Sequence, residues 1–417
     1  NRDETLRSLD QRAHAHYRLG DYVRAEALWR EVIAEAEHGE LPLDVLTNTY
    51  QGLAGMLTNL SRSTEAIDVL DAHDALAQGR LAEGSPDRVN ALRGRIDALV
   101  QLGRADEAER LARQALDLQR RVVGEFNPRV AFLLNSLGLA LNEQGRFREA
   151  REAFEASIEA SPELREVPED YAISVLNLAA VAESAGDYPL ALRRFDEAIA
   201  MLERTERDLD SLRLRQAKRS RARTLGLMGR TQAALEGLQA LEQRALALDG
   251  ADAFEPAMIA WQRVVVLRTA RQAEAGLQAL EVAEARMRAL LPDSHALFAY
   301  MLRARAYFAG LQGRSGDAVQ AAERGLQHLQ QHGGAAFDIA LLEVELARAL
   351  RLQGEDARAR SLLQRALPEL RAAVLPEEVS RADAERLARE LGVSGDMRSM
   401  SGDTGAMSGD MRPRRRD

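Results

Sequence analysis

The chain of 417 residues contains no cysteine, which excludes disulfide bonds, thiolate metal sites and a cysteine nucleophile. Aromatic residues make up only 4% of it, a low share for a mixed or all-β protein. No apolar run approaches the ~18 residues of a membrane-spanning helix, so we expect no membrane insertion within this chain. The sequence has no phosphate-binding glycine loop, no Gly-x-Ser-x-Gly and no His-Glu-x-x-His. These absences predict a protein that is not an enzyme and needs no cofactor.

Lysine is almost missing too, because Lys218 is the only one among 56 basic residues. We interpret this bias as the codon composition of a GC-rich bacterium. The formal net charge of -9 argues against a nucleic-acid partner, so an RNA- or DNA-binding solenoid is the weakest functional hypothesis. The composition leaves the compartment open between the bacterial cytoplasm and the extracytoplasmic side.

Strong helix formers dominate the chain, and they recur in a repeating pattern. The pattern is clearest in "LGDYVRAEALW" (19–29), "QGRFREAREAF" (144–154) and "AGDYPLALRRF" (185–195). Its turn residues lie 41 to 43 positions apart, a spread too narrow for chance over nine units. The turn residues are Gly20, Ser61, Gly103, Gly145, Gly186, Gly229, Ala270, Gly313 and Gly354.

Each unit places small residues where two helices would cross closely. Five positions after every turn stands an alanine, from Ala25 to Ala359, and an apolar residue such as Trp29 or Phe154 usually follows four positions later. Seven positions before the turn the residue is usually small as well. Ile96 and Arg263 break this last rule, so we expect units three and seven to pack less regularly.

This arrangement around a glycine turn resembles the tetratricopeptide repeat, whose basic period is 34 residues. The longer period of ~42 residues resembles the kinesin light chain variety of that repeat. The resemblance is closest over residues 132–162 and 174–202 and extends over about residues 5–375. It implies an all-α fold, a right-handed superhelical α-solenoid of about nine helical hairpins.

The division of the chain follows from the repeat. We expect the array to occupy residues 1–375 and a helix over residues 376–393 to cap its last hydrophobic surface. Residues 394–417 lack apolar bulk and repeat Ser-Gly-Asp every seven positions, which predicts a disordered tail.

The family resemblance also implies which residues face the concave side of the solenoid. They lie 13, 10, 6, 3 and 2 positions before each turn, on the first helix of a unit. Asn and Gln could bind a peptide main chain, and Arg could bind carboxylates or phosphates. These candidates are Tyr17, Asn48, Gln51, Asn90, Arg93, Asn135, Asn142, Arg219, Arg223, Arg303, Tyr307, Arg348 and Arg351. The alternative is that they only keep a water-filled surface soluble.

His328 and His332 stand four positions apart, a spacing that can bind a metal ion. No third ligand is evident nearby, so we expect a solvated helix face and no metal site.

Two functional hypotheses follow. The first is a non-catalytic protein–protein interaction scaffold that binds a peptide or protein segment, with acidic groups, in the concave groove. The second is a regulatory array of a signalling protein, because the degenerate units resemble the C-terminal arrays of some bacterial serine/threonine protein kinases. In that case the catalytic domain would precede this chain in a longer protein.

Overall fold

The computed structural model describes residues 2–18, 21–35, 39–60, 62–82, 84–161, 168–205 and 211–393. Within these ranges the chain forms nineteen α-helices and no β-strand, and none of the helices is long and apolar enough to cross a membrane. In chain order they are α1 (Arg2–Arg18), α2 (Tyr22–Ala34), α3 (Leu43–Asn59), α4 (Ser63–Ala77), α5 (Pro86–Gln101), α6 (Ala105–Val123), α7 (Pro128–Glu143), α8 (Phe147–Ala160), α9 (Pro168–Ala185), α10 (Tyr188–Thr205), α11 (Leu212–Leu227), α12 (Thr231–Asp249), α13 (Phe254–Thr269), α14 (Ala273–Arg288), α15 (Leu297–Leu311), α16 (Ser315–His332), α17 (Ala336–Leu352), α18 (Asp356–Ala373) and α19 (Val379–Glu390).

The helices pair in sequence order as hairpins. Each odd-numbered helix from α1 to α17 packs against the helix that follows it, and successive hairpins stack side by side. The described part of the chain thus forms nine hairpins followed by α19, as a right-handed superhelical α-solenoid. This confirms the predicted fold class.

The turns and the small residues have the roles that the repeat predicts. Gly103 and Gly145 have φ angles of +69° and +72°, a backbone region that glycine enters without a steric penalty. Just after them, the Arg104 N–H donates to the Leu99 carbonyl at 2.9 Å, which closes the helix end. The alanine five positions after the turn is fully buried in eight units, for example Ala108 and Ala150. The predicted turns at Gly20 and Ser61 lie outside the described residues.

Unit seven corrects one predicted turn. The residue with positive φ is Arg271, at +58°, whereas the predicted turn residue Ala270 is still helical at −74°. The register after the turn moves with it, so that Ala275 is exposed and Gly276 is buried in its place. The residue seven positions before the turn changes as well. Counted from Arg271 it is the fully buried Val264, and not Arg263 as predicted. In unit three, Ile96 is accommodated in the same core as Ala108.

Arg271 is the only non-glycine residue with positive φ in the described ranges, so replacing it should stabilise the protein. We expect Arg271→Gly to raise the free energy of unfolding by roughly 0.5–1 kcal/mol, because glycine removes the strain of the left-handed region. The measurement is the urea midpoint. Gly229→Ala is the control: it introduces the same strain at φ +79° with no atom within 4 Å, and should lower the midpoint. A lower midpoint for Arg271→Gly would show that the arginine side chain outweighs the strain.

The predicted capping helix is present as α19. Its apolar face, which includes Ala384, Leu387 and Ala388, is buried in one core with α17 and α18. Its polar side meets α17, where Asp383 lies 3.4 Å from Arg348 and Glu390 pairs with Arg351. The helix therefore closes the last hydrophobic surface of the array. The predicted tail, residues 394–417, lies outside the described residues.

The solenoid turns far enough for its C-terminal end to meet units four and five. The Leu375 N–H donates to the Ala185 carbonyl at 2.7 Å, and the Val379 N–H donates to the Tyr188 hydroxyl at 3.2 Å. We call this contact the clasp: residues 147–148 and 185–188 on one side, Phe337 and residues 371–379 on the other.

Side chains of Phe147 and Arg148 form further contacts of the clasp. The rings of Phe147 and Phe337 meet edge to face at 5.0 Å. The Arg148 guanidinium donates to the Ala372 carbonyl at 2.7 Å, near the end of α18. The clasp therefore joins units four and five to unit nine and α19, and the helices between them enclose a space.

Candidate functional site

A cavity of about 330 Å³ lies inside the space that the clasp closes. Phe147 of α8, Tyr188 of α10 and residues 378 and 380 at the start of α19 complete its wall, most of which comes from helices α9, α11, α13, α15 and α17. These are the first helices of their hairpins, so the cavity is on the concave face. Its wall mixes aromatic and basic side chains, which include Tyr188, Trp261, Tyr300, Arg223, Arg268 and Arg303.

The helical repeat explains how one face supplies these groups. On α13, Trp261, Val264 and Arg268 are three to four positions apart, and such residues lie above one another on a helix. On α15, Tyr300 and Arg303 are placed in the same way. The second helices carry the alanine-rich faces that hold the hairpins together, which leaves the first helices free to present polar groups inward.

Two of the predicted arginines, Arg219 and Arg223, pair with glutamates on neighbouring first helices. Arg219 lies 2.6 Å from the nearly fully buried Glu255 on α13, and Arg223 pairs with Glu183 on α9. Burial lowers the pKa of Arg219 and raises that of Glu255, since each charge has left water. Of the two arginines, Arg223 lines the cavity. Their first role is to join adjacent units.

Three further predicted arginines position α19. Arg303 is 7% exposed and donates to the Ser380 hydroxyl at 2.7 Å. Arg348 lies 2.7 Å from Glu345 and above the Tyr307 ring, 4.9 Å from its centroid, while Arg351 pairs with Glu390. Of these arginines, Arg303 lines the cavity. The groove that the sequence predicts to be lined by open arginines is therefore lined largely by paired ones.

Tyr307 lies on α15 but does not line the cavity, and the remaining predicted site residues lie on the first helices of units one to four, also outside it. The Gln51 side chain donates to the Asp87 carbonyl at 2.6 Å, and Asn135 accepts from Asn177 at 3.0 Å. Arg93 stacks on Phe132 at 5.2 Å, and the Tyr17 ring is 6.0 Å from Trp29. Asn48 and Asn90 are exposed and Asn142 is half-buried. The structure does not bring these residues together with the C-terminal arginines, and their role in binding stays a prediction.

Trp261 is absent from the predicted site because the turn of unit seven is displaced by one residue, whereas Arg268 already lies two positions before the predicted turn Ala270. Counting 3 and 10 positions back from Arg271 gives 268 and 261. The correct turn therefore adds Trp261, while Arg268 satisfies the rule with either turn.

His328 and His332 form no larger cluster. Their ring centroids are 4.8 Å apart, and His328 Nε2 lies 3.2 Å from the His295 carbonyl oxygen. In the described ranges no three His, Cys, Asp or Glu side chains are placed to share a metal ion.

Tetratricopeptide repeat family models match three stretches of the chain, residues 5–38, 87–163 and 135–202. None of the curated proteins matches the chain in sequence.

Solved structures with a similar fold include a Rap protein in complex with competence and sporulation factor, with a TM-score of 0.57 and 13% identity over 84% of this chain and 99% of that one. The apo form of the quorum sensor NprR from B. thuringiensis has a TM-score of 0.54 and 13% identity over 88% of this chain and 99% of that one. The apo form of RapI has a TM-score of 0.50 and 10% identity, over 83% and 97%. At such low identity these similarities show the fold alone.

Proposed function

We propose that this chain, which matches tetratricopeptide repeat models over residues 5–38 and 87–202, holds a peptide or protein segment in the cavity that the clasp closes. The observation that carries the proposal is a cavity of about 330 Å³ on the concave face, lined by aromatic and basic groups. This volume is at the lower end of ligand sites, so it has room for a few side chains of a longer segment. The basic groups favour a segment with acidic residues.

The similar structures support a binding role. One of them, the Rap protein, is in complex with competence and sporulation factor, and NprR is a quorum sensor. Both share the solenoid over most of their length and of this chain. Binding on the concave face, without catalysis, is the function that the arrangement of paired charges around an open cavity fits best.

Trp261 provides a direct test, because the chain has only two tryptophans and the other, Trp29, is fully buried in unit one. The variant Trp29→Phe leaves Trp261 as the only tryptophan. Phenylalanine occupies the same repeat position in units four and five, at Phe154 and Phe195, so the core should accept it. Peptides selected from a random library on the parent chain are then titrated into the variant. We expect saturable changes in Trp261 emission.

The control is Trp261→Phe in the otherwise unchanged chain, which keeps Trp29 as the distant reporter. Its emission should not change with the same peptides. If peptides bind but leave Trp261 emission unchanged, the segment lies elsewhere and the cavity assignment is wrong. If the library yields no binding peptide, the proposed function is wrong.

The regulatory array of a bacterial serine/threonine protein kinase stays a prediction. The sequence upstream of the chain in its full-length protein would test it: a kinase catalytic loop there would support it.

A further inference from the structure

Three arginines line the cavity, and they differ in their partners. Arg223 pairs with Glu183, and Arg303 donates to Ser380 and lies 3.6 Å from Glu345. Arg268 is half-buried, and its guanidinium has no hydrogen bond or ion pair with any residue that the structure describes. Its guanidinium carbon lies over the Tyr307 ring, 5.7 Å from the ring centroid. A stacked guanidinium keeps its N–H donors available for a ligand.

Arg303 is a second reason to expect a bound anion beside Arg268. Its Nε–H is buried without a hydrogen-bond partner, and burial, followed by repulsion from Arg268, lowers its pKa to about 10. Two neighbouring cations that are partly removed from water repel each other, and an anion between them would relieve both costs.

The nearby carboxylates of the chain do not supply this anion. Glu345 is shared between Arg303 and Arg348. Glu378 lines the cavity, but its side chain accepts the Arg381 N–H at 2.7 Å, where it caps the start of α19. No carboxylate of the described residues comes within 4 Å of Arg268.

We propose that Arg268, with Arg303 beside it, binds a carboxylate of the segment held in the cavity, and that Arg268 thereby selects an acidic segment. The inference rests on the proposed function. A guanidinium accepts a carboxylate through two parallel N–H donors, and Trp261, seven positions earlier on the same face of α13, offers an apolar surface beside it. The carboxylate is that of an Asp or Glu side chain or of a peptide C-terminus.

The test compares peptide selections on three proteins: the parent chain, Arg268→Gln and Arg230→Gln. Arg230 is the matched control, because it is exposed, has no ion pair in the described ranges and does not line the cavity. We expect Asp and Glu to be enriched at one position in peptides selected on the parent and on Arg230→Gln, and this enrichment to disappear on Arg268→Gln.

Synthetic versions of one selected peptide then identify the carboxylate. In one version the enriched Asp or Glu is replaced by its amide, and in the other the C-terminus is amidated. Whichever change removes the bound carboxylate should weaken binding to the parent about tenfold or more, and by less than about twofold to Arg268→Gln. Affinity is read from Trp261 emission in the Trp29→Phe background.

The outcomes separate the two proposals. Selected peptides that change Trp261 emission but show no acidic preference, or keep it on Arg268→Gln, would overturn the role of Arg268 and leave the proposed function standing. The role of Arg268 would also be wrong if each synthetic version lost as much affinity for Arg268→Gln as for the parent. A library that yields no binder at all removes the proposed function, and this inference with it.

Discussion

Glu345→Gln should destabilise the C-terminal units by about 3 kcal/mol, because it leaves the buried Arg303 and the half-buried Arg348 without their shared carboxylate. The Glu345 side chain is 2% exposed and lies between Arg348 at 2.7 Å and Arg303 at 3.6 Å. Arg303 in turn holds Ser380 of α19. The loss should therefore appear as faster amide hydrogen exchange in α15, α17 and α19, measured together with urea unfolding because a repeat array need not unfold as one unit.

The control for this variant is Glu355→Gln. Glu355 pairs with Arg358 at 2.7 Å, but both side chains are exposed, so the loss should stay below about 1 kcal/mol. A second variant, Arg303→Met with Glu345→Met, removes the buried pair as a whole. It should be more stable than Glu345→Gln, since no uncompensated charge remains at this pair. A Glu345→Gln variant as stable as the parent would show that water already screens these arginines.

The repeat is the part of the fold that the sequence predicts well. A turn glycine, a small residue five positions later and a large apolar residue after it all act within one hairpin. Each unit repeats the same local requirement, so the pattern can be counted along the chain. Ala108 and Ala150 are fully buried, as expected from their position alone.

Unit seven shows where such counting fails. Its turn has no glycine, so the alignment depends on the side chains around it, and Ala275 matches the expected alanine by coincidence. Arg271 adopts the left-handed conformation instead, and Gly276 is the buried small residue. This shift of one residue moved Trp261 out of the predicted site, whereas Arg268 satisfies the concave rule with either turn.

Pairing of charges could not be predicted from the sequence either. Arg219 and Glu255 are separated by 36 residues, and whether they meet depends on the rotation between adjacent units. The concave rule identifies Arg219, but it cannot tell an arginine that binds a partner from one that joins two repeats. The clasp is a still longer-range feature, since it depends on small rotations added over five units.

Gly186→Ala should open the clasp. Gly186 has a φ of +92°, and a Cβ atom there would lie 2.9 Å from both the backbone nitrogen and the Cα of Glu378. Backbone atoms cannot move aside by a side-chain rotation, so residues 374–379 must shift away from the turn. We expect the loss of the Leu375 and Val379 hydrogen bonds, and a larger radius of gyration in small-angle X-ray scattering.

The matched control is Gly229→Ala, whose turn has nearly the same conformation but no atom within 4 Å of the added methyl group. Both variants carry the cost of a non-glycine residue at positive φ, about 1 kcal/mol. Gly186→Ala should lose about 1–3 kcal/mol more, the usual cost of forcing atoms into a packed contact, and only this variant should expand. Equal stability and equal radius of gyration in the two variants would show that the clasp does not hold the solenoid in its closed shape. The wall of the cavity would then have to be held by stacking of the hairpins alone, because Tyr188, Phe337 and Glu378 belong to both the clasp and that wall.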